Sequence, residues 1–329
     1  MITDNLFDKV LIDPVRNGAD TLYVVSGYAT AAMTFHHFES LKKNYGKQIE
    51  INLIVGMCSN DGLSLSNHKA FQQLSSVDFP DHFVCSYIVN SPQVHSKAYA
   101  WFNEKKPAIG FVGSANYTQN AFSKSQRELL VSCDPKLGYD YFQSLISDSI
   151  YCTHNEIENY IEIYRDTYYG RRKKEKLEKQ GIQLITSEKA DLHDLPAVKI
   201  SLLDRQGGSL PQRSGLNWGQ RPEVGREPNQ AYIKLPSSIY KTDFFPSIAV
   251  HFTVLTDDNK VLICTRAQQN GKAIHTPHNN SLIGEYFRHR LGIPFGHSVT
   301  KNDLERYGRT DIDFYKIDDE TYFMDFSIK

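Results

Sequence analysis

The sequence reads Val94-His95-Ser96-Lys97-Ala98-Tyr99-Ala100 and, ten residues on, Phe111-Val112-Gly113-Ser114-Ala115-Asn116-Tyr117-Thr118. Apolar and aromatic residues frame both polar clusters, which predicts strands over 94–102 and 108–112. A third strand-like run follows at 128–133. Side chains two apart on a strand share a face, so His95 and Lys97 are expected to present an imidazole and an ammonium side by side. Ser114 and Asn116 follow the end of the neighbouring strand and add a hydroxyl and an amide. A nucleophile or base, a fixed cation and two neutral donors are the parts needed to grip a phosphate and displace one of its oxygens.

Upstream of this cluster the pattern alternates. Residues 21–28 and 82–89 read as strands, and 49–57 as a near-continuous apolar one. Apolar residues at helical spacing over 31–45 (Phe35, Phe38, Leu41, Tyr45) and a shorter stretch at 67–74 read as helices between them. Strands apolar throughout and separated by helices argue for a buried α/β sheet. Two more helices are expected around 139–149 and 156–169. The charged segment 170–184 is expected to be a linker between a catalytic domain, 1–169, and a second domain, 185–329. That second half reads as mainly β, a small open barrel, with strands at 197–203, 231–235, 247–255, 260–265, 312–316 and 321–326. Helices are expected there at 281–291 and 301–307.

Composition narrows the class. The chain has 329 residues, 40% hydrophobic and 23% charged, with 37 Lys+Arg against 38 Asp+Glu. That balance excludes a uniformly basic histone-like protein and an acidic disordered one. The charge is uneven: 165–182 holds seven basic and three acidic residues, and 205–290 eleven and six. Local positive loops on a neutral chain suit one polyanion-binding surface. Five scattered cysteines without a CxxC or Cys/His cluster favour neither a disulfide framework nor a zinc site. No signal peptide and no membrane-spanning run is visible, so a cytoplasmic protein is expected.

The expected nucleic-acid contacts lie on two polar arms. The first runs through Arg213, Asn217, Trp218, Gln220, Arg221, Arg226, Asn229 and Gln230. The second carries Arg266, Gln268, Gln269, Asn270 and Lys272. Arginine pairs with guanine edges, and asparagine and glutamine with adenine. Trp218 suits either a DNA contact or a packing anchor for its arm.

His95-Ser96-Lys97 followed by Gly113-Ser114-Ala115-Asn116 resembles the HxK…GSxN signature of the phospholipase D superfamily. The resemblance implies that His95 attacks phosphorus to form a phosphohistidine. Lys97, Ser114 and Asn116 would grip the phosphate oxygens. Glu128 would hold the second ring nitrogen of His95, and no metal cofactor would be needed. The fuller motif has an aspartate where this chain has Phe102. With residues 215–221 (Gly-Leu-Asn-Trp-Gly-Gln-Arg) and 229–233 following, the whole chain resembles the NgoFVII-type restriction endonucleases. That resemblance implies a phospholipase-D-like sandwich followed by a B3-like DNA-reading domain, its arms near 209–230 and 264–275. It also implies double-stranded DNA as substrate and a cognate DNA methyltransferase as companion. A helicase-like ATPase subunit is a further companion in some relatives; with no GxxxxGK[ST] loop here, ATP hydrolysis would belong to it.

The family mechanism uses two histidines, yet none of the other eleven histidines has a lysine two residues on. A homodimer sharing one site through the N-terminal half is therefore expected. His36 and His37 read as structural. Two rival readings are a phospholipid- or other diester-processing phospholipase D, and a DNA-binding protein with a relic nuclease fold.

Overall fold

The computed structural model describes residues 1–123, 126–166, 192, 195–204 and 208–328. The linker expected at 170–184 lies outside them. The chain divides into two compact units, Met1–Tyr164 and Arg165–Lys329.

The first unit is built on β1 (Thr21–Ser26), β2 (Glu50–Val55), β3 (Leu63–Ser64), β4 (Phe83–Ile88), β5 (Ala98–Asn103), β6 (Lys106–Gly113), β7 (Leu130–Cys133), β8 (Ser149–Tyr151) and β9 (Ile163–Tyr164). Seven of these form one sheet in the order β7-β6-β5-β1-β2-β4-β8, and β3 pairs with β9 apart from it. β1, β2 and β4 run parallel, so Ser26, Val55 and Ile88 end at one edge. β1 pairs antiparallel with β5 on its other side.

Helix Ala31–Tyr45 carries the chain from β1 to β2. Thr30 caps its start by accepting from the Met33 N–H, and Gly46 ends it in the left-handed region at φ 61°. Its Phe38 stacks on Phe79 at 4.2 Å and meets the edge of Phe83 in β4. The opposite face packs Tyr23, Val25 and Ile54 against helix Pro135–Ser144, with Tyr23 edge-on to Tyr139 and Phe142. A sheet covered on both faces accounts for the continuous apolar strands.

Three expectations change. Regular pairing begins at Ala98, so 94–97 is irregular backbone and not the start of a strand. The helix expected at 156–169 is, over its described part, a single turn at Ile157–Asn159 and the short β9. Phe102 packs on Tyr23 and Tyr139, which fills with apolar contact the place where the superfamily motif has an aspartate.

The second unit contains β10 (Ala197–Ser201), β11 (Ile233–Lys234), β12 (His251–Thr256), β13 (Val261–Ala267), β14 (Ala273–His275), β15 (Asp311–Lys316) and β16 (Thr321–Asp325). These form a nearly closed, mostly antiparallel barrel in the order β10-β15-β16-β12-β13-β14-β11. Its centre holds Phe245, 5.1–5.7 Å from the rings of Tyr322, Phe314 and Phe252. Helix Leu282–Leu291 lays Ile283, Phe287 and Leu291 onto the same core and stops at Gly292, φ 66°. The short β14 escaped the sequence reading because three residues carry too little periodicity to register.

Candidate active site and nucleic-acid interface

The carboxyl ends of parallel strands leave backbone groups unpaired and are the usual ligand-facing edge of an open α/β sheet. Here β1 ends at Ser26-Gly27 and β2 at Val55-Gly56. The segment 94–97 closes on both. Val94 donates its N–H to the Gly56 carbonyl at 3.2 Å, and a Cβ on Gly56 would lie 1.9 Å from the Val94 carbonyl oxygen. Only glycine allows that approach. Gly27 sits between two expected site residues: a Cβ there would meet His95 Cδ2 at 3.1 Å and Asn116 Oδ1 at 3.5 Å.

Lys97 is buried, and its Nζ lies 3.3 Å from His95 Nδ1 and 3.2 Å from Nε2. It also donates to the His95 carbonyl at 2.6 Å. The side-by-side placement expected from strand alternation is thus reached by an irregular turn. Burial pushes the Lys97 ammonium below the ordinary lysine value, and the Glu128 carboxylate pulls it partly back. β5 and β6 pair Ala98 with Val112, and the Gly113 N–H bonds the Lys97 carbonyl at 3.2 Å, which brings Ser114 beside the lysine. Ser114 Oγ donates to Glu128 Oε2 and accepts from the Leu129 N–H at 3.1 Å. The Glu128 carboxylate is therefore taken up by Ser114 and not by the His95 ring.

Asn116 is oriented by residues at the end of β1. Its Oδ1 accepts from the Tyr28 N–H at 3.1 Å and from Ser26 Oγ at 3.4 Å. Among the described residues its Nδ2 has no bonded partner, so two amide donors are available. Ser26 is fully buried and also holds the loop, donating to the Tyr28 carbonyl and accepting from the Tyr117 N–H. Tyr28, 42% exposed, stands edge-on to His95 at 6.1 Å and donates to Asp61. Neither Asp61 nor Tyr28, the last residue of the strand expected at 21–28, carries a sequence signal for this pairing.

His37 is fully buried, between Tyr117 Oη at 2.8 Å and the Leu11 carbonyl at 3.1 Å; burial lowers its pKa to about 3. His36 is likewise lowered by burial, to about 4. Among the described residues no three His, Cys, Asp or Glu side chains are grouped to hold a metal ion. No helix among them is long and apolar enough to cross a membrane.

In the second unit the expected reading residues separate into two groups. Asn217 is buried, bonded to Val299 N and O and to the Pro211 carbonyl. Asn229 is buried on Glu227 and the Gly296 N–H, and Gln220 spans Pro228, Gly296 and Ser298. Arg266 is buried, with its guanidinium on the carbonyls of Gly271, Tyr240, Pro246, Asn270 and Phe245. For Asn217, Asn229 and Arg266 the expected base contact gives way to an internal one, because a buried polar group must find its partner inside the fold; Gln220, half-buried, is bonded internally as well.

The others face outward at least in part. Arg213 is exposed on Glu223, and Arg221 donates to the Arg213 carbonyl. Arg226 lies 3.9 Å over the Trp218 ring and donates to Gln230, while Trp218 meets the edge of Tyr232. Trp218 thus anchors its arm. Gln268, Gln269 and Asn270 are exposed at the β13–β14 turn, and Lys272 is half-buried. Gln268 and Asn270 hold positive φ of 65° and 62°.

Known proteins match these two halves. The family described as "NgoFVII restriction endonuclease N-terminal PLD domain" matches residues 4–159, and "NgoFVII C-terminal B3-like DNA-binding domain" matches residues 190–318. No curated protein matches the chain. Among solved structures, it is similar to NucT from Helicobacter pylori, with 18% identity, 45% of this chain and 91% of that one covered, and a TM-score of 0.32. The phospholipase D family member Nuc from Salmonella typhimurium follows, with 15% identity, 44% and 88% coverage, and a TM-score of 0.31. Polyphosphate kinase from Porphyromonas gingivalis matches at 13% identity, 54% and 26% coverage, and a TM-score of 0.29. With a phospholipase-D-like sandwich in its first unit, a B3-like barrel in its second, and the family matched across both, the chain belongs to the NgoFVII restriction endonuclease family.

Proposed function

We propose that this protein is a sequence-specific type II restriction endonuclease that hydrolyses double-stranded DNA through a phosphohistidine, without a metal. One observation carries the reading: His95, Lys97, Ser114 and Asn116 converge at the carboxyl edge of the parallel strands. His95 attacks phosphorus in line and the bond to the leaving oxygen breaks. A second histidine protonates that oxygen, and water then displaces His95 from phosphorus, giving up its proton to the second histidine, now neutral. Lys97 and the Asn116 Nδ2 stabilise the charge on the non-bridging oxygens, and Ser114 joins them when its one hydroxyl proton turns from Glu128 to the phosphate. Glu128 acts through Ser114, holding that hydroxyl in place until the phosphate arrives.

The second histidine comes from a second copy of the chain, so the enzyme works as a homodimer through its N-terminal half. On this reading the catalytic domain spans 1–169, a charged linker 170–184, and the recognition domain 185–329. The outward-facing arm residues, Arg213, Arg221, Arg226, Gln268, Gln269, Asn270 and Lys272, supply its DNA contacts. The protein acts in the cytoplasm beside a cognate methyltransferase, and any ATP-driven step belongs to a helicase-like partner.

The test is incubation of the purified full-length protein with plasmid DNA in EDTA. Discrete fragments with common ends are expected. Activity that vanishes in EDTA and returns with Mg²⁺ alone would overturn the metal-free mechanism. Light scattering under cutting conditions is expected to give a dimer, and a strict monomer would sink the shared site.

A further inference from the structure

The internally bonded amides of the first arm share one object. Asn217 holds the N–H and the carbonyl of Val299 at 2.8 Å each. Asn229 accepts from the Gly296 N–H at 2.6 Å, and Gln220 donates to the Gly296 carbonyl at 3.1 Å while accepting from Ser298 Oγ. Arg288, fully buried, donates to the His297 carbonyl at 2.8 Å and reaches back to the carbonyls of Leu216 and Pro228. The loop 293–299 is therefore fixed on the first arm through the backbone of three of its residues and a side chain of a fourth. At its tip Gly296 turns at φ 82°.

The side chains of this loop do the opposite. Phe295 is 59% exposed, and Pro294, His297 and Ser298 are exposed beside it. A backbone held this firmly under an exposed aromatic ring is a preorganised contact, because ordering has already been met by the fold. The ring is not part of the barrel core.

We propose that loop 293–298 is a third DNA-contacting element, with Phe295 entering a groove of the duplex. The proposal rests on the reading of the second unit as the DNA-recognition domain. One aromatic ring among polar neighbours is too small for a stable protein interface, which takes roughly 800 Å² from each partner. It suits a DNA groove, where a single apolar side chain packs on a thymine methyl or wedges a base step. The arm that carries the loop brings the arginines Arg213, Arg221 and Arg226 with it. The exposed His297 flanks the ring with an imidazole N–H able to donate to phosphate or base edges.

The experiment uses the full-length chain with His95→Ala, so that DNA is bound and not cut. A random duplex pool is first selected for the preferred site. Fluorescence anisotropy then compares this background with the same chain carrying Phe295→Ala. About tenfold weaker binding to the selected duplex is expected, with an unchanged thermal midpoint. In parallel, p-benzoylphenylalanine placed at position 295 is expected to photocrosslink to that duplex. Unchanged affinity together with no crosslink would overturn the third contact while leaving the domain reading intact. A background protein that enriches no sequence would instead overturn the domain reading, and the inference with it.

Discussion

The two polar regions are built from similar residues and used in opposite ways. At the edge of the first sheet, Asn116 is braced from behind while its donors stay available: Ser26 and Tyr28 take the Asn116 carbonyl and, among the described residues, leave its amide free. On the first arm of the barrel, Asn217 and Asn229 are themselves the braces, and what they hold is another loop. An amide is therefore functional or architectural according to which end of it the fold consumes. Composition alone does not carry that distinction.

The largest effect that tests the comparison is at the first region. His95→Ala is expected to lower cleavage by at least about 10³-fold, because no other group in the cluster attacks phosphorus. Binding to the preferred duplex, measured by anisotropy, is expected to remain near that of the unaltered protein. If binding collapses together with cutting, the two regions do not divide the labour as described.

A smaller and opposite pair of effects tests the second region. Asn217→Ala leaves the buried N–H and carbonyl of Val299 unpaired, and the half-buried Pro211 carbonyl with them. Each unmet buried group costs about 1–3 kcal/mol, so a clear fall in thermal midpoint is expected. Gln269→Ala, at an exposed turn, is expected to leave the midpoint alone. If Gln269 reads a base, its loss weakens the preferred duplex by about 1–3 kcal/mol and relaxes one position. Equal midpoints for the two variants would erase the distinction between brace and reader.

Much of this was legible in the sequence, for reasons that vary by element. Ala31–Tyr45 announces itself by helical spacing and is found with those bounds. The HxK and GSxN clusters are short and chemically specific, so the placement of His95 against Lys97 survived a wrong backbone assignment for 94–97. Tyr28 and Asp61 were not legible as a pair because thirty-three residues separate them. The internal role of Asn217, Gln220, Asn229 and Arg266 was not legible because burial is set by long-range packing. Only in the folded chain does the 293–299 loop return to the arm.

The finest test concerns the electrostatics of the first region. Burial disfavours the Lys97 ammonium, so its folded pKa lies below the ordinary 10.5, and Glu128 opposes that shift without cancelling it. The ammonium is needed to hold phosphate oxygens, so activity falls as pH rises through the folded value, sooner than an ordinary lysine would allow. Stability runs the other way. A group that holds its proton less tightly when folded makes the fold more stable as pH rises from the folded value toward 10.5. Activity and thermal midpoint should therefore diverge on the alkaline side. Glu128→Gln removes the opposing carboxylate and is expected to move the alkaline limb to still lower pH. Cleavage of bis(4-nitrophenyl) phosphate keeps duplex melting out of the profile. A limb that stays in place or moves upward in the variant would show that the Glu128 charge does not reach Lys97, leaving the carboxylate only its bond to Ser114.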